Sequence, residues 1–120
     1  MRASMRLTRH LNDRSFRHSI TFTSFRFKGS MTSQSFRVDG QSNRVQVITV
    51  QTRAEGAEAA PRIGYLLVNA RTDRPVTDRH VVAGVRMAHF AFVVPAGTYK
   101  LKIVNEGEDR ADVRGVLLYK

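Results

Sequence analysis

The sequence predicts an all-β fold: a small antiparallel β-sandwich, jelly-roll-like, of about eight strands with an N-terminal arm. Three observations predict it. Apolar residues recur at every second position in several windows, the period of a half-buried strand. Turn clusters rich in Gly, Pro, Asn and Asp recur at short spacing, as in sandwiches and barrels. No window carries a convincing helical period. The 120 residues suffice for one domain and are too few for two ordinary ones. A hydrophobic fraction of 42% favours a packed core over disorder.

Residues 1–13 show sparse apolar residues and no clean period, so they read as an arm. From Arg14 the pattern changes: Phe16, His18, Ile20 and Phe22 alternate with Arg17, Ser19, Thr21 and Thr23. At Ser24-Phe25 the phase slips by one, which predicts a bulge, a change of sheet or a break, with Phe25 and Phe27 taking over the apolar face. The phrase Ser24-Phe25-Arg26-Phe27-Lys28-Gly29 is echoed by Ser35-Phe36-Arg37-Val38-Asp39-Gly40, with Met31 between the copies. Pairing of the copies as a hairpin would set Phe27 opposite Phe36. The domain boundaries that follow are a basic arm over 1–28, its 14–28 part contributing a strand, and a sandwich over 31–120.

Residues 39–43 form a turn cluster. Residues 44–53 place Val45 and Val47 on one face, and Ile48 and Val50 on the other, as expected of a central strand covered on both sides. Residues 54–61 are a loop closed by Pro61. Residues 62–71 contain a buried strand around Tyr65–Val68, and Pro75 stops a ladder in the loop that follows. Residues 80–85 are a strand candidate interrupted by Gly84. In 87–94, Phe90, Phe92 and Val94 oppose Met87, His89, Ala91 and Val93. Residues 95–97 are a tight turn in which Gly tolerates a positive φ. Residues 98–104 turn Tyr99, Leu101 and Ile103 inward and Lys100 and Lys102 outward. A polar turn over 105–112 leads to the closing strand, 113–119.

The stretch FVVPAGTYKLKIVNEG resembles the inner hairpin of small bacterial β-sandwich accessory domains, pre-peptidase C-terminal-type modules among them. The resemblance covers about residues 90–107. It implies a sandwich and carries no functional residue with it.

Motifs of nucleophilic, phosphate-binding and metalloenzyme chemistry are missing from the sequence. Cysteine is absent, which excludes disulfides and thiolate chemistry. His10, His18, His80 and His89 lie too scattered to share a metal, and no cofactor is expected. The carboxylates Glu106, Glu108, Asp109 and Asp112 cluster in one turn but lack a calcium-loop order, and Arg110 sits among them. They read as a solvated tip. Tyr65, Tyr99 and Tyr119 fit core packing better than a sugar platform. No apolar run approaches a membrane span, and no secretory apolar centre is visible; the compartment is not fixed by this, and a cytoplasmic protein or an assembled particle or filament is expected.

The net charge is +10 and uneven. Residues 1–30 hold seven basic residues against one acid, and residues 31–120 thirteen against nine. Arg2, Arg6, Arg9, Arg14, Arg17 and Arg26 are therefore candidate contacts to a polyanion or partner. Phe16, Ile20, Phe22, Phe25 and Phe27 are candidates for a strand added to a neighbouring subunit. An Arg-rich arm joined to a small sandwich is similar to the layout of some capsid proteins. The leading expectation is a non-enzymatic, self-assembling structural subunit, a homo-oligomer whose arm bridges neighbours. The alternatives are a nucleic-acid-binding module acting through the arm and a ligand- or carbohydrate-binding accessory sandwich.

Overall fold

The structure, a computed structural model, describes residues 16–120. They form nine strands: β1 (His18–Phe27), β2 (Ser30–Thr32), β3 (Phe36–Val38), β4 (Asn43–Arg53), β5 (Arg62–Asn69), β6 (His80–Ala83), β7 (Arg86–Val94), β8 (Gly97–Asn105) and β9 (Ala111–Tyr119). One sheet has the order β1-β9-β4-β7, and the other runs β2-β8-β5-β6, with β3 also on β8. All pairings are antiparallel. Because β2 and β3 share β8, they act as one strand interrupted at Ser33–Ser35. Counted so, the order is that of an eight-stranded jelly roll, in which the chain crosses repeatedly from sheet to sheet. Among the described residues no helix is long and apolar enough to cross a membrane.

The period-two pattern supplies the core. Ile20, Phe22, Val45, Val47, Phe92 and Leu117 of the first sheet meet Phe36, Tyr65, Leu67, Leu101 and Ile103 of the second, all buried. Each such side chain contributes about 1.5–3 kcal/mol by leaving water. A second apolar cluster, Phe16, Ile48, Val116 and Leu118, lies on the outer side of the first sheet. The two faces expected for 44–53 are therefore present, although Val50 is only half-buried.

One polar network crosses the core. The Tyr65 hydroxyl donates to Gln51 Oε1 at 2.9 Å and lies 2.9 Å from Thr49 Oγ1. Gln51 Nε2 donates to the carbonyls of Val82 and Gly84, at 2.8 and 2.9 Å. Buried polar atoms are tolerated when they are paired in this way. Burial pushes the Tyr65 hydroxyl up to about 12, against the opposing effect of its Thr49 hydrogen bond.

Several expectations need correction. Of the three outcomes expected of the phase slip, the bulge is the one present: Ser24 pairs with Val113 and Phe27 with Ala111, so the β1 side holds one extra residue. The bulge turns Phe25 outward, 69% exposed, so Phe25 does not join Phe27 on the buried face. The echoed phrases do not pair with each other. Phe27 lies opposite Ala111 in one sheet and Phe36 opposite Tyr99 in the other. The stretch between the copies holds β2.

The turn at 95–97 and the polar turn before β9 are not hairpins either. Each carries the chain from one sheet to the other, because β7 and β9 both pair with β4 while β8 pairs with β5. Gly97 adopts no positive φ. It is needed for room, because a Cβ there would lie 2.9 Å from the Tyr99 hydroxyl, which donates to the Pro95 carbonyl.

Candidate assembly surface

Arg2, Arg6, Arg9 and Arg14 lie outside the described residues. Arg17 and Arg26 are exposed. The Arg17 amide donates to the Tyr119 carbonyl at 3.1 Å, which ties the start of β1 to the end of β9. Arg26 sits in the bulge at φ 54°. Its amide donates to Asp112 Oδ1 at 2.8 Å, and its carbonyl accepts from Arg110 Nη1 at 2.8 Å. These bonds hold a backbone conformation that costs an L-residue about 1–2 kcal/mol.

Ile20, Phe22 and Phe27 of the candidate inter-subunit strand are committed to this chain's own core, and Phe16 to the outer cluster. Phe25 alone of the five stands free, beside a hollow of ≈ 130 Å³ that Val50, Thr52, Asp112, Val113 and Arg114 also line. It is the exposed large aromatic among the described residues. Tyr65 and Tyr99 are buried and Tyr119 half-buried, so the tyrosines form no exposed stacking row.

The acidic turn is tied into the fold. The Asp109 carboxylate accepts from the Ala59 and Glu58 amides at 2.7 and 3.0 Å, and these bonds lower its pKa, the one from Ala59 most. Lys28 Nζ donates to the carbonyls of Gly107 and Glu108. Glu106 pairs with Arg79 at 3.2 Å. Among the described residues no group of three or more His, Cys, Asp or Glu is placed to hold a metal ion.

Sheet edges are the remaining feature, and strand order alone reveals them. The first sheet ends at β1 and β7, the second at β2/β3 and β6. Three edges are interrupted: β1 by its bulge, β2 and β3 by their shortness, and β6 by its four residues and the Pro75 segment that continues its side. The β7 edge is regular over nine residues, all in register with β4. The sequence had displayed Met87, His89, Ala91 and Val93 as one face of this strand. What it could not display was that the strand is an edge.

No family model matches the chain, and no curated protein matches it. Solved structures do. The fold is similar to a chain of the T13 IBDV viral particle, at TM-score 0.50 and 16% identity over 87% of this chain. Structures of the infectious bursal disease virus Gt and Gx strains match at TM-scores 0.49 and 0.47, with 18% and 16% identity over 88% and 85% of this chain. This chain spans about a third, 30–31%, of those chains. At this identity the likeness is one of fold.

Proposed function

We propose that the protein is a non-enzymatic structural subunit that assembles with copies of itself, and that its N-terminal arm bridges neighbours. The observation that carries this reading is how the polar groups are used. Asp109, Asp112, Lys28 and Arg110 hold turns, and Thr49, Gln51 and Tyr65 hold the core. Among the described residues the features left over are an exposed Phe25 and an open sheet edge, which suit contact with another protein. The fold's likeness to a chain of an icosahedral viral particle supports the same reading. Fifteen residues reach about 50 Å when extended, further than the ~33 Å of a ten-residue strand such as β1. Removing residues 1–15 leaves β1 whole. Light scattering should then show a fall in assembled mass, and an unchanged mass would remove the bridging role.

A second reading, polyanion binding, is favoured by charge placement. The pairings His18–Tyr119, Asn43–Val94 and Asn69–Tyr99 bring the start of β1, the end of β9, the 39–42 turn and the 70–79 loop to one end. Arg17, Arg37, Arg44, Arg71, Arg74 and Lys120 lie at or near that end. A titration of nucleic-acid affinity against salt decides. Log affinity should fall steeply with log salt, and a flat slope would refute phosphate neutralisation.

A further inference from the structure

We infer that β7 is a docking edge for β7 of a second copy, joining two four-stranded sheets into one continuous sheet. The inference rests on the assembly reading above and names a surface that the arm does not supply. Among the described residues, four of the five exposed large apolar side chains are Val76, Val85, Met87 and Val93. Met87 and Val93 are on β7, Val85 is in the turn entering it, and Val76 shares a hollow of ≈ 380 Å³ with Val93. A long, regular, apolar edge invites strand pairing, and the other three edges carry the interruptions that discourage it.

The strand is also self-complementary. Antiparallel pairing about Phe90 sets each copy's Met87 opposite Val93 of the other. Both side chains lie on the outer face of the sheet, paired across β4 with Val50 and Arg44, and are 40% and 66% exposed. Each copy would bury the other's exposed apolar side chain, and cross-strand apolar pairs of this kind stabilise a sheet. The strand's one arginine, Arg86, would fall opposite Val94, so the two arginines lie at opposite ends of the junction. Each would arrive beside the hollow that both Asp78 and Arg79 line, Arg79 being paired there with Glu106. One two-fold axis relates the copies, as in most homodimers.

The absence of cysteine makes the register directly testable. Met87→Cys and Val93→Cys chains are prepared separately, then oxidised alone and mixed, beside a Met87→Lys/Val93→Lys variant examined by light scattering. Mixing should give a disulfide-linked dimer that neither chain forms alone to a comparable extent. The double-lysine variant should lose about half the assembled mass or more. Equal cross-linking in the unmixed samples, or full mass in the lysine variant, would overturn the β7 junction and leave assembly through the arm standing. A wild-type chain that is monomeric throughout would overturn both. The substituted residues are exposed, and circular dichroism confirms folding of each variant.

Discussion

Replacing Tyr65 with Phe isolates the polar network that crosses the sandwich. The substitution keeps the ring, which packs beside Phe90 at 5.2 Å, and removes the hydroxyl alone. Gln51 is fully buried, and its Oε1 then loses the donor that satisfies it. Leaving a buried acceptor unpaired costs about 1–3 kcal/mol. Thr49 Oγ1 retains only the longer approach to the Arg114 carbonyl, 3.4 Å. The expected loss is thus about 2–3 kcal/mol, a downward shift on the order of 1–2 M in urea midpoint at fixed protein concentration.

The same hydroxyl gives a pH signature. Its folded pKa of about 12 lies above the ordinary tyrosine value of 10.0, so the folded state holds the proton more tightly. The associated stability is complete below pH 10 and lost as pH rises to about 12. Two pH units correspond to roughly 2.7 kcal/mol. Unfolding curves of wild type and Tyr65→Phe should therefore converge between pH 10 and 12. A loss below about 0.5 kcal/mol at pH 8, or parallel pH profiles, would refute the network as a stabilising element.

Three further outcomes are expected. Gly115→Ala should cost at least about 2 kcal/mol, because its Cβ would press on the Ile48 carbonyl and come 2.5 Å from the Phe22 ring in the middle of β9; thermal melts check it. Arg26→Gly should stabilise the fold by roughly 0.5–1 kcal/mol, since it relieves the positive φ while keeping both backbone bonds of the bulge; denaturant curves measure it. Acid should loosen the 54–61 loop: Asp109's lowered pKa means its contribution is present above the unfolded value, 3.8, and is lost as pH falls through the folded one. Faster hydrogen exchange at the Glu58 and Ala59 amides at low pH, corrected for intrinsic rates, would show it.

The strands were legible because β-sandwich burial writes a period of two into the chain. Tyr99, Leu101 and Ile103 face in and Lys100 and Lys102 out in β8, as their spacing implies. The bulge in β1 was legible as a phase slip, yet which of the following residues turned inward was not. That depends on Asp112 and Arg110, 84 to 86 residues away, which clamp Arg26. Partners were the least legible feature. Among these nine strands only β5 and β6 pair with their sequence neighbour. A turn such as 95–97 looks the same locally whether the next strand joins the same sheet or the opposite one. The candidate surface depends on that information. Met87 and Val93 were visible as a face, while the edge they border follows only from the long-range pairing of β7 with β4.

The mass of the chain in solution reports self-association without any variant. Light scattering across a hundredfold range of concentration should give a mass that is a multiple of 13.6 kDa and that grows with concentration. A mass of 13.6 kDa at every concentration would contradict the account.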